Sequence, residues 1–176
     1  MATNIKQESD AIQSALSMFK IETLKTEQRQ ILDCLIRGKD CVAVLPTGYG
    51  KSLPYQMYLP VMRRIGASPG KVLVCCPLVS LMDDQVKRLS DLDCISAAYA
   101  GSRTNEAIRD GSIDLIFASP ETLVGDRHWR EQELDVSLIV VVEFHTIATW
   151  SVDDFWSIQK HTRPVRCLAP NCLPNM

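Results

Sequence analysis

Lys51 and Ser52 follow two glycines, Gly48 and Gly50, that bracket Tyr49, and the run Cys41-Val-Ala-Val-Leu45 precedes Pro46 directly upstream. An ammonium and a hydroxyl placed beside glycines form a residue set suited to polyphosphate. The glycines permit φ > 0 and let backbone N–H groups come close to an anion. The apolar run reads as a buried parallel strand. A helix is expected from about Gly50, with its free N–H groups and dipole turned toward the loop. In that arrangement Lys51 reaches the β- and γ-phosphates and Ser52 ligates Mg²⁺. The strict pattern G-x-x-x-x-G-K-[ST] asks for Gly at position 45, and Leu45 stands there. G-x-G-K-[ST] still arises by chance in only on the order of one per cent of chains this long. A phosphate-binding loop is therefore favoured over a plain strand–turn–helix corner.

The elements that must hold this loop follow from periodicity. Residues up to about Lys20 carry Ile12, Leu16 and Phe19 on one helical face. A second amphipathic helix carries Ile31, Leu32, Leu35 and Ile36, and Gly38 is placed to end it. The helix after the loop buries Tyr55, Tyr58, Leu59 and Met62. Pro54 falls near its fifth residue, where it costs roughly 3 kcal/mol unless the helix bends. Lys71 to Cys76 is the next strand, stopped by Pro77. A helix from about Ser80 to Leu89 follows, with Asp83 as capping-box partner. A short strand at Ala97–Tyr99, a short helix within Ser102–Gly111, strands at Asp114–Ala118 and Leu138–Val142, and a charged connection from Arg127 to Asp135 complete the pattern. Strands alternating with helices give an α/β fold with a mostly parallel sheet and helices on both faces. Sites in such sheets lie at the carboxyl ends of the strands. The loop, Pro77-Leu78, Ser119-Pro120 and Glu143 all fall there and form one rim.

Bulk properties set the frame. At 176 residues the chain is expected to bury one core. Its 46% hydrophobic and 23% charged content are ordinary for a globular protein. A net charge of −2 excludes a basic nucleic-acid grip spread over the whole surface, though not a local strip. Seven unevenly spaced cysteines, two of them adjacent in an apolar run, read as reduced core thiols. Cys167-x₄-Cys172 has no second pair to complete a zinc site. No run is long enough to span a membrane and the polar start lacks a signal-peptide core, so cytosol or nucleus is expected.

Five stretches, in order, carry a resemblance. Leu24-Lys-x-x-Gln28, Pro46-Thr-Gly-Tyr-Gly-Lys-Ser52, Pro77-Leu-Val-Ser-Leu-Met-x-Asp-Gln85, Ser119-Pro-Glu121 and Glu143-Phe-His145 with Trp150 resemble the amino-terminal motor domain of RecQ-like DNA helicases, here truncated. The likeness runs from about Phe19 to Phe155. It implies a RecA-like P-loop NTPase domain, incomplete in this chain. A helical extension would cover 1–18, the ATP-binding (first RecA-like) domain 19–156, and an irregular tail 157–176. The implied activity is ATP-dependent 3′–5′ unwinding of DNA, single-stranded or forked, in the nucleus, with roles in recombination and repair and with ATP and Mg²⁺ as cofactors. By this resemblance Lys25 and Gln28 meet the adenine side of ATP. Thr47, Gly48, Tyr49, Gly50, Lys51 and Ser52 hold the phosphates and Mg²⁺. Leu78, Ser80, Ser119 and Pro120 lie against the DNA backbone. Glu143 polarises the attacking water beside the metal, His145 couples the nucleotide to the motor, and Trp150 and Phe155 belong to an aromatic loop that senses single-stranded DNA.

The chain also departs from the family pattern. The family has Asp-Glu-x-His at the end of the last strand, and Val142 replaces that Asp. Ser151 replaces a usual Gly in the aromatic loop, and Trp156 an expected Arg. The second motor domain with its arginine finger is lacking. So is the Thr-Ala-Thr strand that lies, in the family, between the loop strand and the Glu143 strand. Val165–Ala169, between Pro164 and Pro170, is the one candidate to replace it. These departures imply weak or absent activity for the isolated chain, and a catalytically dead nucleotide- or DNA-binding module or a truncated gene product is the alternative.

Overall fold

The computed structural model describes residues 2–100, 105–125, 134–142 and 165–169. Helix α1 (Ala2–Met18) and helix α2 (Thr26–Ile36) precede strand β1 (Cys41–Val42) and helix α3 (Leu53–Arg64). Strand β2 (Lys71–Cys75), helix α4 (Val79–Ser90), strand β3 (Ala97–Tyr99), helix α5 (Asn105–Arg109) and strand β4 (Leu115–Ala118) follow. Helix α6 (Pro120–Gly125), strand β5 (Val136–Val142) and strand β6 (Val165–Ala169) complete the order. The strands form one sheet in the order β1-β6-β5-β2-β4-β3, every neighbouring pair parallel. The expected α/β architecture is present.

Alternation along the strands assigns each face its helices. Val72 and Val74 of β2, Phe117 of β4 and Val140 of β5 pack with Tyr55, Tyr58 and Leu59 of α3 and Met82 and Leu89 of α4. Leu73, Cys75, Ile116, Ile139 and Val141 face the other way, onto Ile108 of α5 and Leu123 of α6. A third cluster joins Ile12 and Leu16 of α1 to Leu32 of α2 and Met57 and Val61 of α3. The five cysteines with described side chains are free thiols, and burial pushes Cys75 up to about 12.

Strand β6 lies between β1 and β5. Cys167 lies opposite Cys41 on one side and Val140 on the other, and Leu168 opposite Val42 and Val141. The strand is five residues long, between Pro164 and Pro170 in the sequence. With β6 in place, the inner edges of β1 and β5 are paired.

Three local expectations are corrected. The loop strand is not buried on both faces: β1 is two residues long and ends the sheet, leaving Val42 64% and Val44 61% exposed while Leu45 is buried. Among the described residues, helices cover only one side of this edge. The helix after the loop starts at Leu53, not Gly50, because residues 50–52 still form the turn. Pro54 then sits in the first turn, where its absent N–H has no helical acceptor, and the anticipated cost disappears. The interior proline of α3 is Pro60. Third, α4 starts at Val79 on Leu78 in extended conformation, with no side-chain cap. Ser80 and Asp83 are already inside the helix, so the capping box does not form. Gly38 does end α2, at φ 64°. Its N–H bonds Leu35 O at 3.0 Å and the N–H of Lys39 bonds Cys34 O at 3.0 Å, a Schellman closure.

Candidate functional site at the carboxyl rim

The phosphate loop leaves β1 and turns on Gly48 (φ 78°) and Gly50 (φ 85°), values that L side chains rarely adopt. The N–H of Tyr49 bonds Pro46 O at 3.2 Å and that of Leu53 bonds Gly50 O at 3.2 Å, closing the turn ahead of α3. The start of α2 clasps the loop from one side. Gln28, only 4% exposed, accepts from the Lys25 N–H at 2.9 Å through Oε1. Its Nε2 donates to Tyr49 O at 3.0 Å and Gly50 O at 3.1 Å. A Cβ on Gly50 would stand 2.6 Å from that amide nitrogen, so a side chain there would displace Gln28. Lys25 Nζ lies 4.1 Å from the Tyr49 ring centroid and 3.4 Å from Tyr49 O. The Tyr49 hydroxyl donates to the Glu27 carboxylate. That hydrogen bond holds Glu27 below the usual carboxylate range and raises the Tyr49 phenol.

Lys25, Gln28, Tyr49 and Gly50 thus form one interlocked group, with Thr47, Gly48, Lys51 and Ser52 on the same short loop. In this structure the two residues expected to read adenine hold the loop backbone. Glu27 stands at a variable position of the Leu24-Lys-x-x-Gln28 stretch; its place one residue before Gln28 on α2 is the available signal. As a cradle for a triphosphate the loop fits: glycines at the two left-handed positions, with a lysine and a serine directly before α3. For Mg²⁺ the described residues fit on one side only. Ser52 offers a hydroxyl, while Val142, ending β5, offers no oxygen.

Across the rim, one strand lies between β1 and β5, so the ends of these two strands stand about 10 Å apart at the usual strand spacing. Glu143, His145, Trp150 and Phe155 lie outside the described residues. Leu78 and Val79 are 56% and 50% exposed at the turn into α4, beside Ser80. Ser119 accepts from the Thr122 N–H at 3.2 Å and shares a 3.1 Å contact with the Thr122 hydroxyl. It thereby caps α6, and Pro120 opens that helix. Because β2 and β4 are adjacent and parallel, with the Cys76 N–H on Ala118 O at 3.0 Å, the Leu78–Ser80 and Ser119–Pro120 turns share one edge. Behind this rim, Gln56 Nε2 donates to Gln85 Oε1 at 2.7 Å, joining α3 to α4. Sequence reasoning misses Gln56; a polar residue within the buried stripe of α3 is the signal. Among the described residues no His, Cys, Asp and Glu group could hold a metal, and no helix is long and apolar enough to cross a membrane.

A six-stranded parallel sheet with a lysine–serine phosphate loop at its rim defines a RecA-like P-loop domain. The chain belongs to the DEAD/DEAH box helicase family, whose model matches residues 25–171. Within it, the relatives are RecQ-like. The chain is 30% identical over 149 residues to the ATP-dependent helicase SGS1 of Saccharomyces cerevisiae, a match covering 77% of this chain and 10% of that protein. It is 32% identical over 148 residues to the probable ATP-dependent DNA helicase RecS of Bacillus subtilis, covering 80% of this chain and 29% of that one. It therefore spans under a third of either relative. The fold is similar to that of the DUF1998 helicase MrfA bound to DNA and AMPPNP, with TM-score 0.76, 20% identity, 94% of this chain and 26% of that chain covered.

Proposed function

We infer that this chain is the nucleotide-binding motor domain of a RecQ-like 3′–5′ DNA helicase, binding ATP with Mg²⁺ at the phosphate loop and DNA along the neighbouring turns. The observation that carries the reading is the rim itself: the clasped loop, the exposed Leu78–Ser80 turn and the Ser119–Pro120 turn line one edge of the sheet in the order of the helicase motifs. MrfA, similar in fold, has been seen with DNA and a nucleotide analogue in one crystal. The chemistry asked of the protein is mainly positioning and charge neutralisation. Lys51 offers its ammonium to the terminal phosphates. Ser52 directs its hydroxyl to the metal, which when bound neutralises phosphate charge. Glu143 orients the attacking water, and His145 transmits the state of the site. The exposed faces of Leu78 and Val79 suit contact with the sugar edge of a strand, with Trp150 and Phe155 as stacking surfaces. Nuclear residence and a role in recombination and repair belong to the same reading.

Val142 favours a second reading, a module that binds nucleotide and DNA without turnover. Single-stranded-DNA-stimulated ATP hydrolysis, measured beside Val142→Asp and Lys51→Ala, separates the two. Turnover abolished by Lys51→Ala supports the motor. Binding without turnover in the native chain, with turnover gained in Val142→Asp, supports the module. Failure of the chain to bind nucleotide at all overturns both.

A further inference from the structure

We propose that the Gln56–Gln85 pair is a positioning relay between the nucleotide loop and the DNA-contacting turn. This rests on the proposed function. Gln56 lies one helical turn after Ser52, and its backbone N–H bonds Ser52 O at 3.1 Å. Gln85 lies on α4, whose first turn carries Val79 and Ser80. The two side chains meet at 2.7 Å, and Gln56 is 9% exposed. Tyr55, Tyr58 and Leu59 of α3 and Met82 and Leu89 of α4, all apolar or aromatic, belong to one cluster on the same face of β2 and β4.

An amide pair at such a place contributes little to stability compared with apolar side chains of similar shape, yet leaving the buried Gln56 amide alone is costly, while the partly exposed Gln85 can turn to water. What it supplies is registration: the bond is directional, so α3 and α4 must move together or exchange this bond for another. Pro60, one turn further along α3, lacks the N–H that would close the helical bond to the Gln56 carbonyl. The helix is therefore less tightly tied at the residue that holds α4. A displacement of Ser52 on nucleotide binding passes through one turn of helix to Gln56, across one hydrogen bond to Gln85, and up α4 to Leu78–Ser80. Both glutamines act through other residues, Gln56 through the turn that follows Ser52 and Gln85 through α4.

The test is a binding cycle on the full chain, in which the affinity for a fluorescent oligo-dT strand is measured with and without AMPPNP and Mg²⁺, and that for AMPPNP with and without DNA. Linkage requires the two factors to agree, and couplings of this kind typically run about 5–150-fold. Gln85→Leu strands the buried Gln56 amide, so the double variant Gln56→Leu/Gln85→Leu, which removes both, guards against simple unfolding. The expected result is that the double variant keeps each separate affinity within about twofold and the native melting temperature while the coupling factor falls to about one. Coupling retained in the double variant overturns the relay and leaves the proposed function standing. Separate binding with no coupling in the native chain also overturns the relay alone. A native chain that binds neither ligand overturns the proposed function and the relay with it.

Discussion

Val142 closes β5 with an isopropyl group on the rim where the resemblance implies a carboxylate, and a hard cation finds no oxygen on that side chain. Losing even an outer-shell partner typically costs about 10–100-fold in metal affinity or activity. Val142→Asp is therefore expected to raise Mg²⁺-dependent nucleotide affinity by at least about tenfold, read by titrating Mg²⁺ against a fluorescent ATP analogue. An unchanged affinity would mean that the metal's other ligands decide the matter. Gly50 sets the opposite limit. Its φ of 85° and the 2.6 Å separation between Gln28 Nε2 and a Cβ at this position both resist a side chain, so Gly50→Ala must displace Gln28 or unwind the turn. Nucleotide affinity should fall more than about tenfold while the fold, with its loss confined to about 1–3 kcal/mol of local strain, persists; urea unfolding beside the binding titration checks both. At this scale the loop residues were legible in the sequence because glycine, lysine and serine at fixed spacing have few other uses. The clasp was not. The tie from Gln28 to Tyr49 and Gly50 joins residues far apart in sequence, and glutamine carries no signal of which carbonyls it will meet.

The elements were legible wherever the apolar period was long. Helices α1 to α4 and strands β2, β4 and β5 stand where their patterns placed them, to within a few residues. Some errors lie at boundaries: Leu53 begins α3 three residues late because the loop turn continues through Ser52, and Val79 begins α4 early because an extended Leu78 after Pro77 is enough of a cap. Strand β6 was the hardest element to read, since five residues between prolines form a strand only when two neighbours wait on either side. That dependence is testable. Leu168 pairs with Val42 on one side and Val141 on the other, and a proline there removes a ladder donor from an interior strand and clashes with the pleat. Leu168→Pro is expected to cost about 3 kcal/mol or more, seen as a lowered urea midpoint or loss of a cooperative transition. An unaltered midpoint would mean that β6 does not pair in solution.

At the scale of the whole molecule, a charge cluster at the opposite end of the sheet ties the layers together, and its acid response can be derived. Arg63, near the end of α3, pairs with Asp114 at the entry to β4, Arg63 Nη1 donating to Asp114 Oδ2 at 3.3 Å in addition to a second, closer bond through Nη2. The Ser96 N–H, just before β3, donates to the same carboxylate at 3.0 Å. Burial alone would raise the Asp114 carboxyl. The hydrogen bonds from Arg63 and Ser96 and the guanidinium charge outweigh it and hold the group below its ordinary value, while Arg63 is raised by the same bond. A carboxyl whose folded pKa lies below its unfolded value of about 3.9 stabilises the fold above that pH and loses the contribution as pH falls through the folded value. The native chain and Asp114→Asn should therefore differ most in melting temperature near neutrality, the native chain being the more stable. The gap should narrow steadily below about pH 4 as the native carboxylate takes up its proton. Because Asp110 and Glu27 are also held below their usual range and titrate in the same region, the difference between the two melting curves, not either curve alone, isolates Asp114. A gap that stays constant from neutrality down to about pH 2 would show that Asp114 is no lower in the folded chain than in the unfolded one, and that α3, β3 and β4 are held together by packing without this ion pair.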